Sequence, residues 1–136
     1  MGWQMHRSTR ILALALCVVG CNGAIATAGP VELLTGGGNG CWLGPPPTAR
    51  GILQPDPQSG TVIEGDNGKR VPVMWPMGFT GLRLPSGGIE VLDEKGAVIA
   101  TTGKRYVLSE RPAIGFETNG AFPVCGTASG VQPEAS

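Results

Sequence analysis

Apolar and polar residues alternate over short runs between residues 49 and 110, and Gly, Pro, Asn and Asp separate these runs. Alternation with a period of two is typical of half-buried β-strands, and no stretch sustains the helical period of 3.6 residues. The pattern therefore predicts an all-β domain. Six short strands are expected, at residues 49–54, 61–64, 69–75, 89–92, 97–101 and 105–108.

Turn sequences connect these strands. Asn67-Gly68 lies between two β-branched runs, which is the strongest short-range hairpin signal because both residues tolerate the positive φ of a primed turn. Residues 55–60 and 93–96 also have turn composition. Pro72 cannot donate a hydrogen bond to a ladder, so its strand is expected to be an edge or to be bulged there. The order of the runs suits one small closed sheet.

The first twenty residues have the composition of an export signal. Residues 5–10 carry a histidine and two arginines, and residues 11–19 form an apolar run of nine residues. Nine residues are too few to span a bilayer as a helix, so we interpret residues 1–20 as a signal peptide. Translation could begin at Met1 or at Met5.

A cysteine ends this signal. Residues 18–21 read Val-Val-Gly-Cys, which resembles the lipobox of bacterial lipoproteins, with Val18 at a position where Leu is more usual. The chemistry needs a small residue before the cleaved bond and a thiol that receives the diacylglycerol. The resemblance implies lipidation of Cys21, such as diacylation with palmitate, and a membrane anchor. The alternative is cleavage after Ala28, which follows a small-x-small pattern and would give a secreted or periplasmic chain.

Glycine and proline account for 23 and 12 of the 136 residues, and the excess lies mainly in the flanks and in the turns. A run of glycines at residues 36–40 and three prolines at residues 45–47 predict a linker. We therefore expect a linker at residues 21–48, a β-domain at 49–125 and a flexible tail at 126–136. The leader, linker and tail are predicted to be disordered.

Two of the four cysteines remain after Cys17 is assigned to the leader and Cys21 to the lipid. Cys41 and Cys125 flank the strand region, and leftover cysteines of an exported chain usually pair. The core of a domain as small as residues 49–125 is marginal on burial alone, so a disulfide would add needed stability. The alternative of a metal or redox pair has no nearby histidine to support it.

The available side chains exclude several functions. His6 is the only histidine and lies in the leader, which removes Ser-His-Asp sites, Cys-His sites and His-ligated zinc from the mature chain. The net charge is zero and no basic stripe fits a nucleic acid. Glu90, Asp93 and Glu94 cluster, but this composition is that of a solvated turn. No catalytic residue and no cofactor is predicted.

Met74-Trp75-Pro76-Met77 raises a metal hypothesis. Thioether sulfur suits Cu(I), and an indole face can shield a cation. The motif is similar to small periplasmic copper chaperones, which place Met and Trp beside the metal, but it lacks their histidine ligand. The alternative is that these side chains fill the mouth of the barrel as adaptable apolar residues.

Residues 50–53, 71–76 and 89–96 look like small exported domains of actinobacterial lipoproteins with no assigned activity. In those domains a strand ending in Trp-Pro precedes a loop and then a strand pair turned by Asp-x-x-Gly. The resemblance implies an OB-like barrel of five to six short antiparallel strands and supplies no catalytic residues. Small barrels of this type bind ligands on one sheet face and its loops. The candidate groove residues are Trp75, Phe79, Arg83 and Tyr106, and the alternative for each is a place in the core or on the solvated surface.

The function expected from these features is an exported, lipid-anchored, non-enzymatic β-domain that acts as a binding or structural module of the cell envelope. Its partners would be the membrane, through the lipid, and an unidentified envelope protein or small ligand. Three alternatives stay open: a Cu(I) chaperone using Met74, Trp75 and Met77, a secreted soluble domain, and a cell-wall enzyme using Glu64 or Glu90.

Overall fold

A computed structural model describes residues 29–38, 40–113 and 116–134. Every regular element in these residues is a β-strand, which confirms the all-β prediction. No membrane-spanning helix is found in the described ranges. The predicted signal peptide, the lipidation site at Cys21 and the alternative cleavage after Ala28 lie outside the described residues.

In the described part of the chain, ten strands form two sheets, one of them curled into a half-barrel. The four-stranded sheet has the order β1-β5-β6-β7, and the six-stranded sheet has the order β10-β8-β2-β3-β4-β9. All pairs are antiparallel except β4 with β9. The strands are β1 (Gly29–Val31), β2 (Thr48–Asp56), β3 (Gly60–Glu64), β4 (Arg70–Met74), β5 (Thr80–Arg83), β6 (Ile89–Leu92), β7 (Val98–Thr101), β8 (Arg105–Ser109), β9 (Phe122–Pro123) and β10 (Val131–Pro133).

The six predicted strands correspond to β2, β3, β4, β6, β7 and β8, so the structure adds four short strands to the expected five or six. Pro72 lies in β4 opposite Val62 of β3, and the pairing of β4 with β9 begins only at Val73. The missing N–H of Pro72 therefore falls where β4 is an edge, as predicted.

Three hairpins share one turn geometry. Each turn has five residues. The N–H of the first residue donates to the carbonyl of the fifth, the N–H of the fourth donates to the carbonyl of the first, and the fourth residue is a glycine with positive φ. This pattern is a type I turn followed by a left-handed residue, which fits the twist of the adjoining strands. The turns span residues 65–69, 84–88 and 93–97.

The Asn67-Gly68 hairpin is confirmed, but its turn is not the primed turn that the dipeptide predicts. Gly68 has a φ of 80°, whereas Asn67 is not among the residues with positive φ. The Asn67 side chain instead accepts a hydrogen bond from the Lys69 N–H at 3.0 Å. Asn67 thus stabilises the turn through its amide oxygen rather than through its backbone conformation.

One hydrophobic core lies between the two sheets. The six-stranded sheet contributes Leu53, Ile63 and Val73, and the four-stranded sheet contributes Ile89 and Val91, all of them fully or almost fully buried. Leu53, Ile89 and Val91 alternate with less buried neighbours along their strands, as a sheet with one core face requires. β3 and the end of β4 are instead buried at consecutive residues, so the core follows the alternation in the sequence at β2 and β6 but not at β3 and β4.

The predicted linker and tail differ from the structure in the described residues. Residues 29–31 form β1 on β5, and the Trp75 N–H donates to the Leu34 carbonyl at 2.9 Å. At the other end, β10 pairs with β8. Both segments are therefore parts of the domain. Backbone hydrogen bonds hold them, and such bonds need no apolar alternation, so the Gly- and Pro-rich composition indicated a linker instead.

Candidate functional site

The four predicted groove residues do not surround a common groove. Trp75 is 0% exposed, and Phe79 and Tyr106 are also buried in the core, whereas Arg83 lies at the surface and donates to the Gly87 carbonyl at 3.3 Å. The groove prediction is corrected on this point. Large aromatic side chains contribute most to stability when they fill the space between sheets, and this chain has few other large side chains to do so.

The polar atoms of the buried aromatic residues have partners inside the domain. The Trp75 Nε1–H donates to Thr61 Oγ1 at 2.9 Å, and Tyr106 Oη accepts a hydrogen bond from the Thr101 N–H at 2.8 Å. The Trp75 and Phe79 rings stack with centroids 6.1 Å apart. These contacts give Trp75 and Tyr106 a structural role.

The two methionines of the copper hypothesis lie in different environments. Met74 is buried and packs against Gly36, where an added Cβ would lie 2.8 Å from the sulfur. Met77 is 64% exposed. In the described ranges, no group of three or more His, Cys, Asp or Glu could hold a metal ion. One thioether of the copper hypothesis is therefore buried and the other is exposed to solvent.

Cys41 and Cys125 form a disulfide, as predicted, with their Cα atoms 5.4 Å apart. They are separated by 84 residues in the sequence. The bond joins the segment before β2 to the segment after β9, so it connects the two parts of the chain that were expected to be linker and tail boundary.

Arg111 is a second connection between these segments. Its side chain is 1% exposed and donates hydrogen bonds to three backbone carbonyls. Nε donates to Val124 at 2.9 Å, Nη1 to Gly38 at 3.0 Å and Nη2 to Met74 at 3.4 Å. The planar guanidinium has five N–H groups in a fixed fork, which lets it join three segments at once.

The charge of Arg111 is compensated by dipoles. No described carboxylate forms a salt bridge with it, and the Phe116 ring centroid lies 4.9 Å from its Cζ. Burial lowers the pKa of the guanidinium from its ordinary value, but an arginine stays protonated in a protein. Carbonyl oxygens and the ring face therefore stabilise a buried cation.

Two clefts flank the disulfide, and both include Cys41. The first has a volume of about 190 Å³, and the second about 270 Å³. The first is lined by Cys41, Trp42, Pro46, Ser109, Glu110, Cys125, Ser129 and Gly130. The second is lined by Gly38, Gly40, Cys41, Pro112 and Phe116. We call these clefts, together with the loop at residues 42–47, the disulfide end of the domain.

The loop at residues 42–47 presents apolar side chains to solvent. Trp42 is 48% exposed and Leu43 is fully exposed. The loop follows the disulfide-bonded Cys41, and the Pro47 carbonyl at its other end accepts a hydrogen bond from the Glu110 N–H at 2.9 Å. An exposed aromatic and an exposed leucine side by side on a loop held at both ends are typical of an interaction surface.

Two further clefts lie elsewhere. One, of about 380 Å³, is lined by Glu32, Leu33, Leu34, Thr35, Pro57 and Gln58. Another, of about 320 Å³, includes Asp93, Glu94 and Lys95 of a hairpin turn. The Asp93 carboxylate accepts hydrogen bonds from the Lys95 and Ala97 N–H groups, both at 2.9 Å. Asp93 is therefore engaged in the turn, as its composition predicts.

Sequence reasoning missed Arg111 and Trp42. Nothing in the sequence around Arg111 indicates that its side chain is buried. Trp42 did carry a signal: no charged residue occurs between Glu32 and Arg50, and Trp42-Leu43 lies within that uncharged stretch beside a cysteine.

Comparisons with protein-family models, curated proteins and solved structures found no match.

Proposed function

We propose that this chain is an exported, lipid-anchored β-domain that acts as a binding or structural module of the cell envelope. The observation that carries the proposal is the Cys41–Cys125 disulfide, which links the two ends of the domain. Structural disulfides persist in oxidising compartments and are rare in the cytosol. The apolar run at residues 11–19 and the Val-Val-Gly-Cys sequence supply the route and the anchor.

The side chains considered for a cell-wall enzyme favour a non-catalytic role. Glu64 Oε2 lies 3.7 Å from Arg70 Nε in an exposed ion pair, and Asp93 is engaged in its hairpin turn. Glu90 is on β6 of the four-stranded sheet, whereas Glu64 is on β3 of the six-stranded sheet. A carboxylate pair for glycoside hydrolysis needs two carboxyl groups facing one cleft. Glu64 and Glu90 line none of the four clefts described above.

The domain is the same under either processing route. β1 begins at Gly29, so a chain that starts at Cys21 and a chain that starts at Gly29 both retain every described strand. The route therefore decides whether the module is held at the membrane or released, and it leaves the fold unchanged.

The test is the intact mass of the mature protein from an exporting host, measured with and without alkylation under non-reducing conditions. We expect a chain that begins at Cys21, carries added acyl mass and takes up no alkylating agent. The Cys41→Ser variant is the control, since it leaves Cys125 free and should gain one alkyl group. A chain that begins at Gly29 without added mass would contradict the anchor and support the secreted alternative.

A further inference from the structure

We propose that Trp42 and Leu43 insert into the interfacial region of a lipid bilayer, so that the anchored domain lies against the membrane through its disulfide end. This inference rests on the proposed lipid anchor at Cys21. It adds a second contact with the same membrane, made by the folded domain itself.

The two side chains have the chemistry of a membrane interface. Tryptophan is enriched at that depth because its ring is apolar and its indole N–H is polar. Leu43 is fully exposed, so its whole side chain is available to leave water. Removing apolar surface from water is the driving force for interfacial binding.

The loop carries no charge that would have to be dehydrated. The chain is uncharged from Leu33 to Ala49, and Glu110 is the one charged residue that lines the adjoining cleft. Without a basic residue in the loop, anionic headgroups give no added attraction. The surface therefore fits a zwitterionic bilayer, and its binding should depend little on salt.

The loop is already ordered in the folded domain. The disulfide at Cys41 and the hydrogen bond between the Glu110 N–H and the Pro47 carbonyl hold its two ends. Prolines at positions 45–47 restrict the backbone between them. A rigid binding surface loses little conformational entropy on binding.

The tether before the domain is short. Cys21 and Gly29 are eight positions apart, and a fully extended chain of that length reaches at most about 28 Å. A domain of about 100 residues has a radius of gyration of about 13 Å. The tether is thus no longer than the domain is wide, which keeps the exposed loop within reach of the lipid surface.

Tryptophan fluorescence tests the insertion. The mature chain has two tryptophans, because Trp3 lies in the leader, and Trp75 is buried in the core. The acylated protein is reconstituted into phosphatidylcholine vesicles whose acyl chains carry bromine, a short-range quencher. We expect the tryptophan emission to be blue-shifted relative to that of the same protein in detergent-free buffer without vesicles. We also expect the Trp42 component of the emission to be quenched. The Trp42→Phe variant should leave an unquenched Trp75 signal.

A charge substitution separates insertion from mere proximity. Leu43→Glu keeps Trp42 but would place a carboxylate in the bilayer, which is costly, so it should reduce the quenching roughly tenfold. Val98→Glu is the matched control. Val98 is also an exposed apolar residue, at 52%, but it lies on β7 in the four-stranded sheet and not in the loop at residues 42–47. It should leave the quenching unchanged. Near-ultraviolet circular dichroism checks that both variants are folded.

The outcomes distinguish the inference from the proposed function. Acylated protein with no quenching of Trp42 overturns the inference and leaves the anchor intact. Shielding of Trp42 by dimerisation or by an envelope protein instead of lipid also overturns it. If the mass shows no acyl group, the anchor fails, and the soluble chain is added to excess vesicles. Quenching of Trp42 in that sample would support insertion of the loop without the anchor. If Trp42 is not quenched, neither the lipid anchor nor the insertion of the loop holds.

Discussion

The region from β2 to β8 and the segments on either side of it are held together in different ways. Within the first, which we call the hairpin region (residues 48–109), successive strands pair through short turns, as in β2–β3, β3–β4, β5–β6 and β6–β7. The described residues of 29–47 and 110–134, which we call the closing segments, are joined by contacts between residues far apart in sequence. Arg111 and Gly38 are 73 residues apart, and the two cysteines are 84 apart.

This difference determines where a single substitution has most effect. The hairpin region has many local hydrogen bonds, and the loss of one leaves its neighbours in place. The closing segments are connected to each other by the disulfide, by one guanidinium and by the hydrogen bond from the Glu110 N–H to the Pro47 carbonyl. The first two are made by side chains, and we therefore expect substitutions there to destabilise the domain more than substitutions in the turns.

The largest effect is expected from removal of the disulfide. In the chain-entropy treatment, closing a loop of 84 residues stabilises the folded state by about 4 to 5 kcal/mol. The Cys41→Ser/Cys125→Ser variant should lose about that much free energy of unfolding, measured by urea denaturation. Wild-type protein in reducing agent is the control and should match the variant. A loss below about 1 kcal/mol would mean that other contacts already hold the closing segments.

Arg111→Met should have the second largest effect, about 3 kcal/mol, because the buried Val124 carbonyl loses its guanidinium donor and the Gly38 and Met74 carbonyls each lose one hydrogen bond. Arg111→Lys should recover little of it, since one ammonium group cannot point at three carbonyls as the guanidinium does. Arg83→Met, at the surface, is the matched control and should change the free energy by less than about 0.5 kcal/mol.

Hydrogen exchange of the Arg111→Met variant sharpens the comparison. The amides of the closing segments, such as that of Gly36, should lose protection before those of the hairpin region. Equal loss of protection in both regions would show that they unfold as one unit, and the distinction drawn between them would then fail.

The sequence predicted the hairpin region well because its signals are local. Alternation and turn residues are readable within ten residues, and all six predicted strands are present. The four additional strands are short and lack alternation. Gly81 in β5 shows the reason: an added Cβ there would lie 3.0 Å from the Val31 carbonyl, so the residue that lets β1 approach is one that indicates a loop in the sequence.

The candidate site was less predictable. Cysteine pairing followed from counting and compartment, but the environments of the two tryptophans did not follow from the sequence. Trp75 was a groove candidate and lies in the core, whereas Trp42 fell in a predicted linker and lies on a loop whose two ends are held by the domain. Long-range packing decides the environment of a tryptophan, and no local pattern reports it.

Two glycine substitutions compare a turn with a strand in the hairpin region. Gly68 has a φ of 80° and open space around an added Cβ, so Gly68→Ala should cost about 1 kcal/mol from backbone strain alone. Gly51 lies in β2, where an added Cβ would meet the Glu64 carbonyl, so Gly51→Ala should cost about 3 kcal/mol. Thermal unfolding of both variants measures the difference. Equal losses would show that the strands at Gly51 can separate without penalty.

The smallest effect is expected at Asp56, the last residue of β2, which accepts hydrogen bonds from the turn that leads to β3. Its Oδ2 accepts hydrogen bonds from the Ser59 N–H at 2.9 Å, from the Ser59 hydroxyl at 2.9 Å and from the Gln58 N–H at 3.1 Å. The Ser59 backbone N–H contributes most to lowering the pKa of this carboxyl in the folded state. Because the folded pKa is below the unfolded one, ionised Asp56 stabilises the fold above pH of about 4. That contribution is lost as the pH falls through the folded pKa.

Asp56→Asn isolates this contribution, since the amide oxygen still accepts hydrogen bonds but does not titrate. The wild type should be slightly more stable than Asp56→Asn at pH 7, and the difference should shrink below a pH of about 4, measured as urea midpoints across the range. A difference that grows on acidification would reverse the sign of the argument. A difference as large as that of Arg111→Met would mean that this local turn controls the whole fold, and the contrast between the hairpin region and the closing segments would not hold.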